Sequence, residues 1–310
     1  MATEGYIAGS GFSPRRVGAA LTHTWHKGLG ALRLVLRTTS GRIGLPIVLV
    51  HAVIFVAGSW LAPYSFTSFN LAEDGTLEQL VGPSRHFLLG TDQFGRDILS
   101  RVMSGSTSLI AVAGSGTLLG IAMGSIVGMG SAYMGKWVDE VVMRIMDGLM
   151  SFPSLLMALL VISALGPNVL YIVATVAIVT TPGVARVMRS ATLTLKEQEF
   201  VQSARLRGES APYIIFREIL PNTLPVMGVE LTVRLSYSIL IVASLGFLGL
   251  GVQPPSPDWG LMISQGRQFL SSAPWVALAP AGAVASLIVG VNLLTDGIRQ
   301  ASNMPREVAP

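Results

Sequence analysis

The stretch Val102–Gly135 carries no Asp, Glu, Lys or Arg, and it is one of several such runs in this 310-residue chain. A bilayer core about 30 Å thick is crossed by roughly 20 consecutive apolar residues in a helix. Runs of this length therefore predict a polytopic membrane protein. Charged residues make up only 12% of the chain, about half the share usual in a soluble domain, which argues against a globular enzyme with a large core. Ile43–Ala62 makes one span and Val102–Gly135 a second. The long run Gly148–Ala185 is interrupted by the turn signal Gly166-Pro167-Asn168, so helices are expected near 139–165 and 169–188. A fifth span is expected over about 223–250 and a sixth over about 275–297. The expected fold is all-α with six transmembrane helices.

Basic residues orient the bundle. With the amino terminus inside, sixteen Lys/Arg fall in cytoplasmic segments and four (Arg85, Arg96, Arg101, Arg267) outside. The calculated pI near 9.7 is thus a topology signal, and nucleic acid is not an expected partner. Residues 1–42 form a cytoplasmic segment in which Val17, Leu21, Trp25, Leu29, Leu32 and Leu36 recur at helical spacing among Arg15, Arg16, Lys27, Arg33 and Arg37. That pattern predicts an interfacial amphipathic helix in contact with membrane lipid. The first apolar run is too long for a cleavable signal core. Residues 43–300 then form the spanning domain and 301–310 a cytoplasmic tail.

Several constellations bear on chemistry. Gly116, Gly120, Gly124 and Gly128 lie on one helical face, a groove for close approach of another helix, within the chain or between chains. Gly130–Lys136 matches most of a phosphate-binding loop, but Trp137 stands where a hydroxyl should hold Mg²⁺, so ATP binding on this chain is rejected. Glu230 and Arg234, at i, i+4 in the fifth span, are candidates for a hydrated pathway, because ionisable groups at membrane depth are costly unless paired or wetted. Asp139, Glu140, Arg144 and Asp147 form a charged ladder, with Arg144 and Asp147 expected to pair. No catalytic set emerges. Cysteine is absent, His51 is the one histidine inside a span, and His23 and His26 have no further ligands nearby.

The polar insert from Glu199 to Asn222 is the least lipid-compatible part of the second half. Gly208 sits amid short helix-forming pieces, and Leu220-Pro221-Asn222 reads as a stop. At this point the chain resembles the permease subunits of ATP-binding-cassette (ABC) importers, specifically the second, C-type permease of the dipeptide/oligopeptide/nickel group, over roughly residues 40–300. Three segments carry the resemblance: Leu89–Arg101, Leu245–Gly260, and the insert itself, which is similar to the importers' EAA loop. Gln202-Ser203-Ala204 departs from the usual Glu-Ala-Ala, Val242 stands where this group often has Glu, and Gly246 where Ser is usual.

The resemblance implies a type I importer fold with a cytoplasmic coupling helix between spans 4 and 5. It implies ATPase-coupling roles for Glu199, Gln202, Ser203, Ala204, Arg205, Gly208, Pro212, Leu220 and Pro221. It also implies a candidate translocation pathway through Glu230, Arg234 and position 242, where Val242 removes a carboxylate. Expected partners are a homologous sister permease, two ABC ATPase subunits carrying ATP and Mg, and an extracytoplasmic substrate-binding protein, at a bacterial inner membrane. No cofactor or metal is expected on this chain. The outer segment Thr91–Asp97 is expected to pack on the sister permease. The alternative is an autonomous channel or secondary transporter, for which the insert would be a mere connector. An intramembrane enzyme ranks third.

Overall fold

A computed structural model describes residues 34–72 and 75–302. Apart from one helical turn at 34–37, the expected amphipathic helix lies outside the described residues, as does the tail beyond 302. The elements are α1 (Thr39–Leu61), α2 (Ile98–Met134), α3 (Lys136–Met150), α4 (Ser154–Leu165), α5 (Val169–Leu195), α6 (Glu199–Leu206), α7 (Ala211–Phe247), α8 (Trp259–Gly266) and α9 (Trp275–Ser302). Extended pairing among the described residues is limited to the isolated bridges Leu71↔Leu77 and Thr91↔Asp97. The fold is all-α and multi-span. In hydrocarbon an unpaired peptide group finds no water, and a helix satisfies its backbone within one segment.

Five helices, α1, α2, α5, α7 and α9, are long and apolar enough to cross a membrane, and the count reaches six if the bent pair α3–α4 is one span. Here the structure corrects the single helix expected near 139–165. The two halves meet at an 84° bend at Ser151-Phe152-Pro153. Pro153 has no N–H to donate and disfavours helical geometry at the residue before it. Ser151 closes α3 by donating from Oγ to Gly148 O at 2.7 Å.

A second correction concerns the Leu220-Pro221-Asn222 stop. The helix begins at Ala211, behind Pro212, and runs through Pro221 to Phe247. A wide π-helical turn over Ile214–Ile219 precedes the proline, with Leu220 N bonding back to Ile215 O. Asn222 Nδ2 donates to Glu218 O at 2.7 Å. The local change of hydrogen-bond register lets the chain pass Pro221 without breaking.

The glycine face of α2 packs on α5 in the same chain. A β-carbon on Gly116 would lie 2.7 Å from Val176 Cβ, on Gly120 2.7 Å from Thr180 Cβ, and on Gly124 2.6 Å from Val184 Cβ. At Gly128 it would strike the Ala185 carbonyl. Of the two uses open to the stripe, the structure shows packing within the chain. Polar and charged groups then pin the neighbours. Arg189 of α5 binds Asp139 of α3 through Nε at 2.7 Å and Nη2 at 2.6 Å. Asp147 pairs with Arg186 of α5, not with Arg144 as expected; Arg144 makes only an exposed 4.0 Å contact with Glu140. His51 Nδ1 lies 3.0 Å from Ile47 O, and Nε2 lies 3.3 Å from both Ala283 O and Ser286 Oγ. It joins α1 to α9, a packing role that uses both ring nitrogens.

Much of the segment Thr91–Asp97 is engaged within the chain. Thr91, Asp92 and Asp97 are buried. Thr91 Oγ1 donates to Glu78 O at 2.5 Å, Asp92 accepts from Arg96 Nε at 2.7 Å, and Asp97 caps α2 by accepting from Ser100 N at 2.8 Å. Only Phe94 in this segment leaves a large apolar side chain exposed.

The α2–α5 contact yields a direct test. Gly124→Ala places a methyl 2.7 Å from the Thr181 carbonyl and is expected to lower stability by about 1–3 kcal/mol through overpacking. Gly114→Ala, where nothing lies within 4 Å, is expected to leave it unchanged. Thermal unfolding in detergent compares the two; equal midpoints would contradict the contact.

Candidate functional site

Three places concentrate the candidate residues: the insert over 199–222, a cleft beside α7, and a glycine-lined niche before α8.

In the insert, α6 is amphipathic. Val201 and Ala204 are fully buried, packed with Ile121 and Met129 of α2, Val184 and Met188 of α5, and Ile214 and Ile219 of α7. Leu220 packs against the same cluster. Glu199, Gln202, Ser203, Arg205 and Gly208 are exposed, as are Pro212 and Pro221 on the start of α7. Ala204, expected among the coupling residues, therefore faces inward and anchors the helix. Glu199 supplies the acid in the first turn, where the helix dipole favours it, so the helix forms without a carboxylate at position 202. Gln202 Nε2 donates to Glu197 O at 3.1 Å.

The helix stops in a Schellman arrangement. Gly208 N bonds to Arg205 O at 2.9 Å, Glu209 N bonds to Ala204 O at 3.2 Å, and Gly208 has φ +78°. That left-handed geometry favours glycine because other residues place Cβ against the backbone. Arg205 lies over the Tyr133 ring, 4.9 Å from its centroid. One residue escaped the sequence reading. Leu206 is 90% exposed, on the face opposite Val201 and Ala204. Helical register alone contained the signal, since a position five residues after Val201 and two after Ala204 lies across the helix from both.

The cleft of about 520 Å³ lies between the start of α4, α5 and α7, and its wall includes Ser154, Thr180, Arg234, Tyr237 and Ser244. A smaller cavity of about 100 Å³ shares Ser154, Val179 and Arg234. Arg234 Nε donates to Glu230 Oε1 at 2.6 Å, with Nη2 at 2.5 Å from the same oxygen. Gly183 makes the position available, for a β-carbon there would lie 2.5 Å from Arg234 Nη2 and 2.6 Å from Cζ. The two predicted pathway residues are thus brought together, with Arg234 on the cleft wall. Val242 is fully buried in the apolar core with Ile239 and Leu245.

The niche before α8 lies within the Leu245–Gly260 segment. Asp258 is fully buried and caps α8, with Oδ1 accepting from Leu261 N at 2.7 Å, while Oδ2 has no hydrogen-bond partner. A β-carbon on Gly246 would overlap Asp258 Oδ1, and one on Gly251 would sit 3.2 Å from Oδ2. Glycine at 246, where Ser is usual, gives the carboxyl this space. Burial pushes the Asp258 carboxyl up to about 6, with neighbouring backbone amides opposing the shift. Trp259, next in the chain, is buried and donates from Nε1 to Val102 O at 2.8 Å, fixing α8 to the amino-terminal end of α2. Among the described residues no cluster of His, Asp and Glu is arranged to hold a metal.

Comparison with known proteins adds to this geometry. Residues 116–303 match the family model described as binding-protein-dependent transport system inner membrane component. The dipeptide transport system permease protein DppC of Alkalihalophilus pseudofirmus is 39% identical over 235 residues, covering 76% of this chain and 77% of that protein. The glutathione transport system permease protein GsiD of Escherichia coli O6:K15:H31 is 39% identical over 254 residues, 82% of each chain. GsiD of Shigella boydii serotype 4 gives the same values.

Asp258 also sets a pH dependence. Its proton is held more tightly in the folded than in the unfolded chain, whose carboxyl titrates near 3.9. Its contribution therefore favours the fold fully below about pH 4 and is lost as pH rises through about 6. Asp258→Asn keeps an acceptor for the cap and removes the buried charge. The stability of Asp258→Asn relative to wild type is expected to rise between pH 5 and 7.5, by roughly 3 kcal/mol at most. Unfolding midpoints at the two pH values measure it, and a difference independent of pH would refute the assignment.

Proposed function

The chain belongs to the family of binding-protein-dependent transport system inner membrane components, as a permease subunit of the dipeptide/oligopeptide/nickel group of ABC importers, and from this premise we propose how it works. It crosses a bacterial inner membrane six times, with α3–α4 as one broken span and both termini cytoplasmic. The excess of Lys/Arg in the segments then placed inside supports that orientation. It pairs with a homologous sister permease, receives solute from a substrate-binding protein, and is driven by two ABC ATPases that bind ATP and Mg. The solute is a peptide or related small polar molecule, a reading supported by the dipeptide and glutathione names of its relatives.

The coupling element is α6 with the turn to Pro212, extending along the start of α7 to Leu220 and Pro221. The observation that carries this is the two-faced character of α6. Val201 and Ala204 are locked into a cluster joining α2, α5 and α7, while Leu206 is presented to the outside. A Leu 90% exposed, rimmed by Gln202, Ser203 and Arg205, fits a helix-in-groove contact with an ATPase subunit. Glu199 favours the helix start, and Gly208 stops the helix so that it acts as a short rigid lever. Movement of the groove when two ATPases close on ATP is passed through the buried face to the inner ends of three long helices. Two permeases then rock between inward- and outward-facing states. Arg234, held by Glu230, lines the path. Val242, further along α7, lies in the apolar core.

Gly208→Asp, which forces a side chain into the left-handed geometry, is expected to reduce uptake at least tenfold while the subunit still inserts and pairs with its sister. Leu206→Glu is expected to do the same by placing a charge in the groove. Uptake by the importer, with membrane content followed by immunoblot, tests both; normal transport by either variant would contradict the lever.

A further inference from the structure

Among the described residues Arg234 is the one cation on the wall of the 520 Å³ cleft, and that wall is otherwise built of hydroxyl-bearing side chains (Ser154, Thr180, Tyr237, Ser244) and aliphatic ones. Its ion pair does not use it up. Glu230 engages Nε and Nη2 through a single oxygen, and Nη1 has no partner among the described residues. The pair is also unevenly exposed, 27% for the Arg234 side chain against 11% for Glu230. The cleft therefore meets a guanidinium face, with its neutralising carboxylate behind. Gly183 holds that face in place, since the flat group lies against the α5 backbone where a side chain would stand. A planar, pre-oriented fork of N–H donors in a low-dielectric setting is suited to a carboxylate. Hydroxyl groups around it suit amide groups, and the aliphatic wall suits apolar side chains.

We propose that Arg234 is a specificity-determining residue that docks the carboxylate of the passing solute, so that this chain itself favours molecules with a free carboxyl end. The assignment rests on the peptide-importer reading above for the identity of the solute, while the anion-attracting character of the cleft stands apart from it. Glu230 is a positioning residue in this account. It orients the guanidinium and lowers its net attraction enough for the solute to leave.

The absence of cysteine from the chain gives a clean test in the assembled importer reconstituted in proteoliposomes. Ser154→Cys places one thiol on the cleft wall, and its reaction rates with an anionic (sulfonatoethyl) and a cationic (trimethylammonioethyl) methanethiosulfonate are compared. Adding Arg234→Gln is expected to lower the anion-to-cation rate ratio at least fivefold, Arg234→Lys to retain most of it, and Glu230→Gln to raise it. An unchanged ratio in both Arg234→Gln and Glu230→Gln would overturn the proposal. The second arm uses millimolar Ala-Ala and its carboxyl-terminal amide as protectants of the thiol. Ala-Ala is expected to slow modification with Arg234 present and not in Arg234→Gln, with the amide ineffective in both. Equal protection by acid and amide, or protection by neither, would overturn carboxylate recognition. Uptake of Ala-Ala by the wild-type importer is read separately. Its failure would count against the peptide reading, whereas the reagent ratio depends on no transport.

Discussion

The close contact between α2 and α5 sets the positions of everything functional in this subunit. Lipid offers no hydrophobic drive for helices to associate, so their pairing rests on dispersion contacts that require close approach. Four glycines at every fourth position of α2 allow that approach, and β-branched side chains and backbone of α5 fill the groove. The carboxy-terminal halves of the pair supply Met129, Val184 and Met188 to the cluster that seats α6. The middle of α5 supplies Thr180 and Gly183, the wall of the cleft and the bed of Arg234. Near the amino terminus of α2, Trp259 stands against Gly105 and bonds to Val102 O.

Charge is placed where the fold can hold it. Arg189 and Arg186 of α5 draw Asp139 and Asp147 of α3 to it, fixing the first half of the bent pair while α4 turns away. Glu230 and Arg234 lie deeper and neutralise each other locally, which limits the cost of ionisable groups at membrane depth. Asp258 takes a third route. It is buried with one oxygen unpaired, and its environment favours the protonated form as pH falls toward 6.

The long helices were legible because a run such as Val102–Gly135 without charge has few other stable outcomes in a cell. The bend at Ser151–Pro153 was less visible, because the change from a charged, amphipathic α3 to an uncharged α4 reads equally well as one span leaving the membrane interface. At Pro221 the reading failed differently. A proline ordinarily ends a helix, and only the π-turn before it, a matter of hydrogen-bond register, lets α7 continue. In Thr91–Asp97 the bonds made within the chain by Thr91, Asp92, Arg96 and Asp97 form a compact turn that the sequence did not reveal. Gly208 was marked by its setting among helix-forming pieces and by the resemblance to the EAA loop. Leu206 and Asp258 were not, because their meaning lies in which neighbours they face: solvent for one, glycines for the other. The Arg234–Glu230 pair followed from i, i+4 spacing, whereas its seat on Gly183 joins residues on different helices.

The most direct test of the central claim replaces Leu206 with a photo-crosslinking benzoylphenylalanine in the intact importer and identifies the adducts by mass spectrometry. Placement of the same probe at Val201, inside the buried face, serves as the control. Coupling through α6 predicts that position 206 crosslinks to an ABC ATPase subunit and that position 201 crosslinks only within this chain. Adducts of position 206 confined to this chain or to lipid would contradict the account, and the insert would then be a connector rather than a lever.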